Sequence, residues 1–343
     1  MRTGLDRVRT LIATSLRRLR ITRGDTAPLA AICSVTLVIL AQCTSQPASP
    51  VGPDIDFYLL LDDSPSMTVP ATLSGISAMV ARTPQLGGCA FACHQTGPLV
   101  DDRGNPLPQD NYALARSLGL TLRIDAVRTA VRDLASTAQA AEKNNGTTYR
   151  MAMYTFDSKF STLSPLTADL GAIGSRAGGI DAEIVYANNS LTAANLNMDE
   201  DTDYDLAMSR INLIIPDSVN GAQAGGPQDV LVIVTDGVED ENRCPAKNAM
   251  GGTCRQQFPM NANTDWCTAI KDRGIRIAVL YTEYLPLPTN QWYLHFIAPF
   301  QSQIGPQLRA CASPGLYAEA ATGGDISAAL NTLFQKAVAA TSK

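Results

Sequence analysis

The spacing of apolar residues changes period along this chain, and each change predicts an element. Residues 230–234 form an apolar run of strand length, as do 55–61 apart from Asp56 and 275–281 apart from Arg276. Runs of this kind belong to strands buried on both faces of a sheet. Residues 149–156 alternate and predict a further strand, which leads into 161–166, and 316–319 predict a short last one. Ile124, Val127, Val131, Leu134 and Ala138 recur at helical spacing, so 123–141 is a helix with one buried face, stopped by Asn144-Asn145-Gly146. Helices are also expected over 71–80, 168–176, 205–214 and 265–272. Ile326, Leu330, Leu333, Phe334 and Ala337 mark a terminal helix with Asp325 as its N-cap. Strand and helix alternate throughout, which predicts an α/β fold: a doubly wound, mostly parallel sheet flanked by helices.

Between these elements the pattern breaks down in informative places. Residues 44–53 (TSQPASPVGP) have no periodicity and read as a linker. Residues 83–111, rich in Gly and Pro, form an insert carrying Cys89, Cys93 and His94. A loop of that length has a function or is tied down. A second cysteine-bearing loop is expected over 243–258.

Charge divides the chain unevenly. Net charge is −5, yet residues 1–24 hold seven arginines against Asp6, about +6, leaving about −11 for the rest. An acidic body excludes nucleic acid as a partner, since phosphate contacts need clustered Lys and Arg. The arginines instead precede the uncharged residues 27–41 (APLAAICSVTLVILA), slightly short of the roughly 20 residues that span a bilayer. Residues 1–26 are then a cytoplasmic basic segment, 27–43 a membrane anchor or signal, and 54–343 an exported domain. An uncleaved anchor is favoured over a lipoprotein signal ending at Cys43, because Gln42 is not small.

Six further cysteines follow, an even number that suits disulfides in an exported body. The expected pairs are Cys89–Cys93, Cys244–Cys254 and Cys267–Cys311. A zinc site at Cys89, Cys93 and His94 lacks a fourth ligand.

Candidate chemistry lies where the strands end. The run 55–61 leads into Asp62-Asp63-Ser64-Pro65-Ser66, and 230–234 leads into Thr235-Asp236-Gly237. Open α/β sheets bind ligands at such carboxyl ends. One carboxylate and two hydroxyls on a tight loop, joined by a second carboxylate, make an all-oxygen set suited to Mg²⁺. The competing reading is helix capping and turn formation alone. The acidic run 199–205 is not an EF-hand loop, because Tyr204 and Arg210 stand where Gly and Glu are required.

Asp62-x-Ser64-x-Ser66, with Met67 after it, resembles the first loop of the metal-ion-dependent adhesion site (MIDAS) in von Willebrand factor A-type domains. Thr202, ahead of the 205–214 helix, matches that family's middle-loop threonine, and Asp236 its last aspartate. Pro65 and Asp201 depart from the family's usual glycines. The resemblance implies a Rossmann-like A domain whose metal ligands are Asp62, Ser64, Ser66, Thr202 and Asp236. It implies a divalent cation, Mg²⁺ foremost with Mn²⁺ or Ca²⁺ as alternatives, that leaves one position for a partner's Asp or Glu carboxylate.

A narrower resemblance, to TadG-type proteins of the tight-adherence (Flp) pilus system, is carried by four pieces. They are residues 23–28, Cys89-Ala-Phe-Ala-Cys93-His94, residues 267–275, and Arg309-Ala-Cys311 with 316–320. It implies a bacterial inner-membrane protein serving pilus assembly or attachment, with pilus components among its partners. Two rivals remain: a metal-free envelope scaffold, and a Mg²⁺-dependent hydrolase. The hydrolase lacks a base or nucleophile beside its carboxylates, since His94 and His295 sit in neither motif and read as surface or packing residues. Trp266 and Trp292 read as packing residues, and Asp63, Glu239, Asp240 and Glu241 as a solvated acidic rim.

Overall fold

Among the described residues of the computed structural model, six strands form the central sheet. They are β1 (Ile55–Asp62), β2 (Tyr149–Phe156), β3 (Phe160–Thr167), β4 (Gln228–Thr235), β5 (Arg276–Thr282) and β6 (Tyr317–Ala320). They lie in the order β6-β5-β4-β1-β2-β3. All neighbours run parallel except β2 and β3. This is the 3-2-1-4-5-6 order of a doubly wound sheet, and its switch point falls between β1 and β4. The residues described are 54–96, 99–101, 103–186, 201–216, 227–242, 255–261, 265–321 and 323–340. All belong to one compact unit, Ser49–Lys343. The predicted basic segment, the apolar segment 27–43, the linker and the Cys244–Cys254 pair lie outside them. No helix among the described residues is long and apolar enough to cross a membrane.

The helices are α1 (Leu73–Arg82), α2 (Asn111–Ser117), α3 (Arg123–Asn145), α4 (Leu170–Arg176), α5 (Tyr204–Ile214), α6 (Trp266–Asp272), α7 (Gln291–Phe296), α8 (Gln301–Cys311) and α9 (Gly323–Ala339). The two-residue period of β1 feeds two cores. Ile55, Phe57, Leu59 and Leu61 pack with α3, α4 and α9, while Tyr58 and Leu60 pack with α5, α6 and α8. In the first core Phe57, Tyr149 and Phe334 form a ring cluster, with centroids 5.1 to 6.1 Å apart. Burial on both faces is why β1 and β4 read as near-continuous apolar runs, the exception in β1 being Asp56, paired with Arg150.

Several expectations need correction. Cys89 and Cys93 are thiols, not a disulfide. Burial alternates from Gly88 to Cys93 with the period of extended chain. The insert is held by hydrogen bonds instead. Thr83 Oγ1 donates to Cys89 O, Asn111 Nδ2 donates to Phe91 O, and Asp110 accepts from Gln95 N. His94 meets Asp110 at 2.8 Å and stacks on Tyr112. His94–Thr96 also pairs in parallel with Ile184–Tyr186, a small sheet that no apolar pattern announces.

Asp325 lies in the first turn of α9, which starts at Gly323, so it faces the positive end of the helix dipole and is not the cap. Part of the predicted 243–258 loop is the strand Arg255–Pro259, paired antiparallel with Val238–Asn242. α8 contains Pro306 in its interior, which hid it from pattern reading. The Cys267–Cys311 disulfide is present and ties α6 to α8 across a separation of 44 residues.

Closing a loop of that length implies that the double variant Cys267→Ala/Cys311→Ala unfolds with about 2–4 kcal/mol less stability. Urea denaturation of the oxidised chain and the variant checks this, and equal midpoints would refute it.

Candidate functional site

Parallel pairing in register sets Leu61 opposite Val234, so Asp62 and Thr235 are neighbours at the carboxyl ends of β1 and β4. The chain then turns sharply at both ends. After β1, Pro65 opens a 3-10 turn, a position that suits its fixed φ and missing N–H. The Pro65 departure therefore fits the loop. After β4, Gly237 takes φ +79°, and a Cβ there would lie 2.4 Å from Ile304 Cγ2 and 2.8 Å from Leu308 Cδ1. Only glycine satisfies both the left-handed backbone and the contact with α8.

These turns bring together most of the predicted set. Asp62 and Asp236 are fully buried. Asp62 Oδ1 accepts from Ser64 N at 3.0 Å and Ser64 Oγ at 2.6 Å, and its Oδ2 accepts from Thr235 Oγ1 at 2.6 Å. Ser64 Oγ stands 3.1 Å from Ser66 Oγ. Two oxygens bound side by side to an octahedral Mg²⁺ at 2.0–2.1 Å are about 2.9 Å apart, so the hydroxyl pair fits such an ion. Thr202 arrives from another direction. Its N–H donates to Asp240 O at 3.1 Å, its carbonyl accepts from Asp240 N at 3.0 Å, and the following Asp203 caps α5. Ser66 and Thr202 line one cavity of about 270 Å³, walled by Phe91 of the insert and by Trp292, whose rings meet edge to face. Trp292 is thus a wall of the site as well as a packing residue. No group of three or more His, Cys, Asp or Glu able to hold a metal is found among the described residues. The five-residue set has only two carboxylates, so hydroxyls carry most of it.

Two residues at the site escaped sequence reasoning. Thr235 lies inside the quoted motif, but its donation to Asp62 needs the β1–β4 register. Arg123 stands at the start of α3, almost wholly buried, with Nη1 3.4 Å from Asp236 Oδ2 and Nη2 donating to Glu283 O at 2.8 Å. A cation at a helix N-terminus opposes the helix dipole, and that was the available signal.

The acidic rim also needs correction. Asp63, Glu239 and Asp240 are buried. The strand pair Val238–Asn242/Arg255–Pro259 and the Thr202 bridge cover the last two, and Gln257 Nε2 donates to Asp240 Oδ1 at 2.8 Å.

Burial and charge act together on the carboxylates. Loss of solvent raises Asp62, and Asp236 nearby raises it further, to about 7, against the hydrogen bonds from Ser64 and Thr235. Burial also raises Asp236, opposed by the Arg123 guanidinium. Asp63 is raised by burial and by Asp157, and Glu183 reaches about 7 for the same two reasons.

Among solved structures, the von Willebrand factor domain of the type V pilus tip protein Mfa5 from Porphyromonas gingivalis matches at 10% identity and a TM-score of 0.44. That match covers 84% of this chain and 96% of the other. The chain is similar to A-domain proteins of pili. The pilus adhesin SpaC from Lactobacillus rhamnosus GG matches at 13% identity and TM-score 0.42 over 83% of this chain, which spans only 31% of SpaC. Proximal thread matrix protein 1 from the mussel byssus, solved with a zinc-occupied MIDAS motif, matches at 13% and 0.39 over 84% of this chain and 48% of that one. No family model and no curated protein matches the chain. The strand order defines the fold, and the loops after β1 and β4 define the site.

Two outcomes are expected. Gly237→Ala must strain the backbone and push against Ile304 and Leu308, lowering stability by about 1–3 kcal/mol. An unchanged denaturation midpoint would refute this. Asp62 holds its proton more tightly when folded, so the chain without added metal is most stable below about pH 4 as far as this group acts. That contribution is lost as pH rises through about 7. Melting temperatures from pH 4 to 8 should show the fall, and Asp62→Asn should flatten it.

Proposed function

We propose that this chain is a non-catalytic binding protein of the bacterial envelope that presents a divalent cation to a carboxylate of a protein partner, in pilus assembly or surface attachment. In this reading residues 27–43 hold it in the inner membrane and the described domain is exported. Supporting it most directly is the Ser64–Ser66 hydroxyl pair, 3.1 Å apart, beside two buried carboxylates at the switch point of the sheet. Two buried carboxylates repel each other, and a cation between them relieves the repulsion. Asp62, Ser64, Ser66, Thr202 and Asp236 would hold the ion, Mg²⁺ foremost, which when bound supplies a Lewis-acid contact for the partner's Asp or Glu. The cavity beside Ser66 and Thr202 gives that carboxylate a way in. Against catalysis, His94 and His295 are engaged elsewhere, by Asp110 and by the Gln291 carbonyl.

A second reading is a metal-free scaffold, favoured by Arg123, whose guanidinium already neutralises Asp236. Thermal unfolding of the full chain in Mg²⁺ or Mn²⁺ against chelator separates the two. An ion that binds only the folded state, at 100-fold above its dissociation constant, adds about 2.7 kcal/mol. The gain should vanish in Asp62→Ala, and capture of acidic partners should be lost with chelator and in Ser64→Ala. An absence of any shift with either ion would decide for the scaffold.

A further inference from the structure

We infer that Arg123 is a built-in rival of the divalent cation: it holds Asp236 while the ion is away, weakens the ion's binding, and leaves the loaded site positive toward an acidic partner. This rests on the metal reading above and extends it to a residue outside the five-residue set.

The placement of Arg123 is built. Asp125 Oδ2 accepts from Leu122 N at 2.9 Å, and Arg123 N donates to Val69 O at 3.0 Å, which fixes the first turn of α3 beside the first loop. From there the side chain reaches Asp236 and lies over the Tyr284 ring, 5.3 Å from its centroid. With 3% of the residue exposed, the guanidinium faces a desolvation cost that only specific partners offset. A positive group kept there against the helix dipole calls for an explanation in its surroundings.

Its two contacts are unequal. The bond to Glu283 O is 2.8 Å, a strong charge-assisted anchor. The contact with Asp236 is a single one at 3.4 Å, with no bidentate fork. Asp236 can therefore pass to another cation while Arg123 keeps its anchor. With Asp62, Asp236 and Arg123 all ionised, the site carries −1 when empty and +1 once a divalent ion enters. Without Arg123 those values would be −2 and 0. The arginine thus lowers the attraction for the ion and raises the attraction of the loaded site for a carboxylate.

The test is titration of the full chain, stripped of divalent ions, with Mn²⁺ alone by calorimetry. Wild type is compared with Arg123→Gln and Arg123→Lys. Removing a positive charge this close to a divalent ion should tighten Mn²⁺ binding at least about tenfold in Arg123→Gln. Arg123→Lys, which keeps the charge, should stay near wild type. The melting temperature of Arg123→Gln in chelator should drop, and Mn²⁺ should restore it. If Arg123→Gln folds only with the ion, the Mn²⁺ concentration that restores its circular dichroism replaces the titration. Restoration below the wild-type dissociation constant supports the inference, and failure to restore overturns it. Measurable binding to wild type with equal or weaker binding to Arg123→Gln overturns this inference alone. No binding to any form overturns the metal reading as well.

Discussion

Two buried carboxylates, Asp62 and Asp236, sit at the same end of adjacent parallel strands, and the surroundings of the site compensate for their repulsion. Ser64 and Thr235 donate three hydrogen bonds to Asp62. Arg123 supplies a positive charge to Asp236. Removing either carboxylate from water would be costly without these partners. The same arrangement that makes the end of the sheet expensive would, in the proposed reading, make it receptive to a cation.

That receptive end is reached through a wall the rest of the fold supplies. The insert over residues 83–111 brings Phe91 against Trp292, and the pair encloses the approach to Ser66 and Thr202. On the opposite edge of the site, Gly237 lets α8 close in on the turn that carries Asp236. The Cys267–Cys311 disulfide ties α8 to α6, and Tyr204 at the start of α5 meets both sulfurs. The covalent link and the candidate site therefore share a core, the one built on Tyr58 and Leu60.

Arg123 alters the balance between the readings of the site. A site made only of hydroxyls and two carboxylates leaves its negative charge for an ion to neutralise. The Arg123 guanidinium, 3.4 Å from Asp236, offsets part of that charge without an ion.

Sequence alone determined the elements whose cause is local. Apolar runs, broken only by Asp56 in β1, mark β1 and β4 because both faces of those strands are buried, and helical spacing marks α3 and α9. Asp62, Ser64, Ser66 and Asp236 were legible because they follow directly on those runs. Tertiary structure decided what depends on residues distant in the chain. It decided the register that places Thr235 on Asp62 and the burial of Glu239 and Asp240 within a strand pair that has no apolar signature. It also decided the meeting of Arg123 with a carboxylate 113 positions away. Periodicity records which face of an element is buried, whereas a polar side chain's partner is set by packing between elements, on which the local pattern is silent.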